Sequence, residues 1–155
     1  MRSRVAGSVF LVVAGLAAAA EGGDVAIIVH RNHQQDALSM TELARIFRLD
    51  QQHWKGGDRI ALVLQLSGSA KEEVILDRVY HMKADELKPY WLGKIFRGEL
   101  TAAPRTFSSD ASVKQYVAGN LNAVGYIDSV LLDSSVKALR IDGKRPGEPG
   151  YPLTR

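Results

Sequence analysis

Ser67, Gly68, Ser69 and Lys71 stand where an apolar run ends and a helical pattern begins. These residue types can hold an oxyanion. Serine hydroxyls donate hydrogen bonds, a glycine lets a ligand reach the backbone, and a lysine brings positive charge. A helix starting at Ala70 would add unpaired N–H groups and the positive end of its dipole. The same residues also make a capped turn. Ser69 is a good N-cap, and Glu72 three residues later completes the sequence pattern of a capping box. Capping is the routine use of serine before a helix, so the residues alone leave both uses open. Lys71 can touch an anion from this turn or stand as an ordinary solvated helix lysine.

Other chemistries find less support. His30 and His33 are spaced H-x-x-H and, with His53 or His81, have the ligand types of a metal site. That spacing on a loop fixes no geometry, and no cysteine or glutamate-rich motif accompanies it, so hydrogen-bonding or surface histidines are expected. A serine hydrolase would need a G-x-S-x-G elbow and a partnered Asp–His pair, and neither is identifiable. Glu72 and Glu73 fall in the first turn of a helix, where acids favour the dipole without any catalytic task. Trp54, Trp91 and Tyr126 suit core or rim packing. With no cysteine in the chain, disulfides and cysteine catalysis are excluded. The expectation is a protein that is not an enzyme, with no catalytic residue, no metal ligand and no cofactor.

The elements that must position the turn follow from periodicity. Residues 60–66 are nearly all apolar, as in a strand buried on both faces of an α/β sheet. Residues 70–82 form a helix with Val74, Ile75, Val79 and Met82 near one face. Further strands are expected at 25–30, 123–127 and 136–141. Further helices are expected at 40–47, opened by the capping box Ser39–Glu42, at 84–97, with Leu87, Trp91, Ile95 and Phe96 inward, and at 110–118, capped by Ser109. Strands alternating with helices predict an α/β fold: a mixed sheet with helices on both faces.

Residues 1–20 stand apart. Arg2 and Arg4 precede an apolar run that ends in Ala18-Ala19-Ala20, the pattern of a secretory signal peptide. The run falls short of the roughly 20 residues a spanning helix needs, so no membrane span is expected after cleavage. That segment holds two of the 20 basic and none of the 17 acidic residues, which leaves the rest of the chain at +1. No basic run is interleaved with aromatics, which argues against nucleic acid as a partner. Residues 21–142 are expected to form one domain. Residues 143–155 hold three of the five prolines and read as a flexible C-terminal tail.

One ordered set of motifs is more specific: Leu43-Ala44-Arg45-Ile46-Phe47, Trp54-Lys55-Gly56-Gly57, Ser67-Gly68-Ser69, Phe96-Arg97-Gly98 and Ala123-Val124-Gly125-Tyr126-Ile127. It resembles the phosphate-type substrate-binding proteins of ABC importers, in the type II periplasmic-binding-protein fold. The resemblance runs from about Asp24 to Ile141 and matches mainly the second of that family's two lobes, as in its short single-lobe members. It implies a periplasmic protein that binds inorganic phosphate or a similar oxyanion at Ser67, Gly68, Ser69 and Lys71, with an ABC permease or another periplasmic protein as partner. The chain departs from the pattern before the turn. Val63 stands where the family has an oxyanion-gripping arginine, and Gln65 and Leu66 replace its Asp-Gly. Bidentate arginine contacts are among the strongest to oxyanions, so a second expectation stands beside the first: a single-lobe periplasmic interaction module that has lost its ligand.

Overall fold

The computed structural model describes residues 23–155. The expected signal peptide, residues 1–20, lies outside them. Along the chain run β1 (Val25–His30), β2 (Ala37–Leu38), α1 (Met40–Phe47), β3 (Ala61–Gln65) and α2 (Ala70–Ile75), which a π-helical turn (Leu76–Tyr80) prolongs. Then come α3 (Ala84–Phe96), β4 (Arg105–Phe107), α4 (Asp110–Ala118), β5 (Ala123–Asp128), β6 (Val136–Ala138) and β7 (Arg140–Ile141).

The main sheet has the order β4-β3-β5-β1-β6. β3 runs parallel to both β4 and β5, and β1 runs antiparallel to β5 and β6. Alternation along the strands divides the interior in two. Leu62, Leu64, Val124 and Tyr126 face a larger core filled by Leu43, Ile46 and Phe47 of α1, by Ile75, Leu76, Val79 and Tyr80, and by Leu87 and Trp91 of α3. Ala26, Ile28, Val63 and Ile127 face a smaller core closed by Val113 and Val117 of α4. The sheet is therefore mixed and covered by helices on both faces, and the near-continuous apolar strands follow from that burial.

At Gly125 α4 packs tightly on the sheet. A Cβ at that position would lie 3.0 Å from Cγ1 of Val113 and 3.2 Å from the Val63 carbonyl oxygen. The capping box at α1 is complete: Ser39 Oγ accepts the Glu42 N–H and the Glu42 carboxylate accepts the Ser39 N–H.

Three expectations need correction. The expected strand 136–141 is two strands. Leu139, fully buried between them, donates its N–H to Ile27, and β7 turns away to pair with β2. Phe96 does not join the inward face of α3 and is 86% exposed. The stripe from Leu87 to Trp91 continues three residues on to Lys94, whose buried stem carries an ammonium 2.6 Å from Asp50. Phe96 is five residues beyond Trp91, about 140° around the helix. Residues 143–155 are not a loose tail. Tyr151 and Leu153 are buried, the Val25 N–H donates to the Leu153 carbonyl at 2.9 Å, and the Tyr151 hydroxyl donates to the Val25 carbonyl at 2.6 Å. Prolines and glycines preclude regular structure there, but two apolar side chains on alternate residues still find the core.

Candidate functional site

The turn that follows β3 sits in a crevice built by topology. β3 and β4 are adjacent and parallel, with Gln65 in register with Phe107 at their carboxyl ends. From β3 the chain passes to α2 on the face of the larger core, and from β4 to α4 on the opposite face. Neighbouring strands whose helices leave to opposite faces open a gap at their carboxyl ends, the place where open α/β sheets bind ligands. Residues 66–69, which follow β3, are one wall of that gap by this topology, and Ser108, Ser109 and Asp110, which follow β4, are the other.

Local chemistry shapes the first wall. Gly68 has φ +64°, a left-handed conformation that favours glycine, and nothing lies within 4 Å of where its Cβ would be. Ser69 caps α2 by accepting the Glu72 N–H at 3.3 Å, and Ser67 Oγ donates to Ser69 Oγ at 2.9 Å. The sequence pattern of a capping box is only half realised. The Glu72 carboxylate reaches past the cap residue and accepts the N–H groups of Ser67 at 2.7 Å and Gly68 at 2.6 Å. Glu72 is only 7% exposed.

Lys71 is not a solvated helix lysine. Its side chain is 5% exposed and its ammonium pairs with the Asp110 carboxylate on the opposite wall. The other Asp110 oxygen accepts the Asp128 N–H at 3.4 Å, so the pair joins the start of α2, the start of α4 and the end of β5. Gln65 lies at the floor of the crevice, 5% exposed. Its Nε2 is 3.5 Å from the Ser108 carbonyl, and its Oε1 is buried without a partner. Behind it the Tyr126 hydroxyl donates to the Gln65 carbonyl at 2.6 Å. Burial pushes the Tyr126 phenol well above its usual pKa, against the pull of the Gln65 N–H that its oxygen accepts at 3.2 Å, and the charges of Glu72 and Asp110 raise it further.

The structure thus brings Ser67, Gly68, Ser69 and Lys71 together at one crevice and adds Gln65, Glu72, Asp110 and Tyr126. Sequence reasoning assigned Glu72 to capping and the dipole, and Tyr126 to packing. Gln65 stood at the position of the family's Asp, and Asp110, directly after the cap Ser109, carried a positional signal as a second helix start. Val63, at the position of the family's arginine, is fully buried among Val113 and Val117, so an arginine there would put its charge into the smaller core.

His30 and His33 make hydrogen bonds. Nδ1 of His30 accepts the Asn32 N–H and Nδ1 of His33 accepts the Gln35 N–H. The His33 ring packs on Trp54 at 4.4 Å, and Trp54 donates its indole N–H to Asn122. His33, Gln35, Trp54 and Asn122 border a cleft of about 450 Å³. It lies at the other end of the sheet from the turn, where β1 ends and β3 and β5 begin. Among the described residues no helix is long and apolar enough to cross a membrane.

No family model matches the chain, and no curated protein sequence does. Solved structures do. A protein from Clostridium perfringens assigned as a phosphate ABC transporter substrate-binding protein, with bound phosphate, is 27% identical with a TM-score of 0.63, over 78% of this chain and 46% of that one. An ABC-type phosphate transport receptor from Vibrio cholerae is 22% identical with a TM-score of 0.69, over 86% of this chain and 54% of that one. PstS from Borrelia burgdorferi is 15% identical with a TM-score of 0.65, over 86% and 55%. The chain spans about half the length of these structures. Its fold is that of one lobe of the phosphate-type substrate-binding proteins of ABC importers.

Proposed function

We propose that this protein is an exported, periplasmic substrate-binding lobe that holds phosphate or a similar oxyanion at Ser67, Gly68, Ser69 and Lys71, in the service of ABC import with a permease as partner. The observation that carries the proposal is the Ser67-Gly68-Ser69 turn at the crevice between β3 and β4. The Ser67 and Gly68 amides already hold a carboxylate, which makes the turn an anion receptor by its own chemistry. Similarity to a phosphate-bound transporter component supports phosphate as the anion. The reading is non-catalytic. The crevice serines bond each other, and Lys71 and Asp110 are committed to one another. Binding on one open wall is weak: a millimolar Kd corresponds to only about −4 kcal/mol, within reach of a few amides and hydroxyls.

A second reading is a periplasmic interaction module without a ligand. It is favoured by the same Glu72 contact, since the turn's amides are satisfied with no ligand present, and by Asp110, which neutralises Lys71. Titrating the folded protein with inorganic phosphate, followed by amide NMR shifts, separates the two. Saturable shifts at residues 67–71 support the oxyanion reading. Their absence at tens of millimolar phosphate, both in wild type and with the Glu72 carboxylate removed, leaves the interaction module.

A further inference from the structure

We infer that Glu72 is a built-in competitor for the turn, so that an oxyanion binds only by displacing the Glu72 carboxylate from Ser67 and Gly68. The inference rests on the oxyanion reading and sets how that site is controlled.

The geometry points this way from two independent directions. First, Glu72 Oε2 alone accepts both N–H groups, at 2.7 and 2.6 Å, in the short range of charge-assisted bonds. A routine capping box would send that carboxylate to the N-cap N–H, as Glu42 does at Ser39. Glu72 instead occupies the N–H groups of the two residues before the cap, Ser67 and Gly68. Second, the strand end that leads into the turn holds a buried polar atom that no protein group satisfies. Gln65, more than nine-tenths buried, spans from the end of β3 toward Ser108 on the other wall and leaves Oε1 unpartnered. A buried acceptor of that kind costs free energy unless a donor reaches it. A protonated phosphate oxygen is such a donor, whereas the Glu72 carboxylate is an acceptor and cannot serve. Lys71 adds to the balance. With Asp110 beside it and Glu72 on the turn, the cluster carries two carboxylates and one ammonium, so an incoming anion meets net negative charge until Glu72 moves aside.

The contact is local and a short side-chain motion breaks it, because Glu72 belongs to the first turn of α2 and Ser69 Oγ still caps the helix through the Glu72 N–H. Replacing the carboxylate therefore removes the competitor without removing the cap.

The test compares inorganic phosphate binding to wild type, Glu72→Gln, Glu72→Ala and Glu73→Gln by amide NMR titration. Glu73 is the exposed neighbour, and its variant deletes the same charge without touching the turn. A dispersed spectrum confirms folding of each variant, and Glu72→Ala serves if Glu72→Gln does not fold. Because two charge-assisted bonds no longer compete, the Glu72 variants are expected to bind at least about tenfold more tightly than wild type, with shifts at residues 67–71. Glu73→Gln is expected to stay within about twofold of wild type, as an exposed charge near the surface does. If wild type binds at the turn and the Glu72 variants bind no more tightly, the competitor inference is overturned and the oxyanion reading stands. Equal tightening by Glu73→Gln also overturns it, in favour of a general charge effect. If neither wild type nor any Glu72 variant shifts at residues 67–71, both fail together.

Discussion

Tyr126 closes the sheet onto Gln65 where the backbone ladder has stopped. The register of β3 with β5 runs only through Ala61–Ala123 and Leu62–Val124. Three residues further along β3, the Tyr126 hydroxyl donates to the Gln65 carbonyl at 2.6 Å and accepts the Gln65 N–H at 3.2 Å. One phenol does the work of a missing rung and fixes the floor of the crevice.

Tyr126→Phe leaves the aromatic packing in the larger core and strands both backbone groups of Gln65. A loss of about 1–3 kcal/mol of stability is expected, the range for burying unsatisfied polar groups. Urea denaturation measures it. Amide exchange should quicken at Gln65 and Leu66 more than at Val25–Val29. A uniform change across the sheet would show that the bond is not local to the crevice.

The C-terminal segment is structural. Leu153 is fully buried and its carbonyl accepts the Val25 N–H. Leu153→Ala should cost about 2–5 kcal/mol, as large-to-small changes in a core do. A thermal shift indistinguishable from wild type would return the segment to the status of a loose tail.

His33 should titrate below the ordinary histidine value of about 6.5. Burial disfavours its charged form, and the Lys137 ammonium adds to the effect. Between the depressed folded value and about 6.5, the folded protein holds fewer protons than the unfolded chain. Stability therefore rises with pH across that window and falls as pH drops through it. An NMR titration of the His33 ring gives the midpoint directly, and a midpoint at or above 6.5 contradicts the burial argument.

Much of this was legible in the sequence because the signals were local. Ser39 and Glu42 fixed the start of α1, Ser109 fixed that of α4, and the apolar runs at 25–30 and 60–66 read as strands, the second as one buried on both faces. What the sequence concealed depends on contacts between distant segments. Lys71 is buried only because Asp110, on another helix, supplies its charge partner. Nothing in the spacing says that Glu72 will reach over Ser69 to Ser67 and Gly68, since the same residues spell a capping box. Gln65 showed in the sequence only as a replacement for the family's Asp, and its unpartnered oxygen became visible only with Ser108 opposite. Tyr151 and Leu153 were hidden among prolines, which mark the absence of regular structure and say nothing about burial.

The most direct test of an oxyanion site at this turn is a crystal structure of the chain in tens of millimolar phosphate. The account predicts a tetrahedral anion within about 3 Å of the Ser67 and Gly68 nitrogens, with the Glu72 carboxylate turned away from both. Glu72 still seated on those two amides, with no anion at the turn, would contradict it.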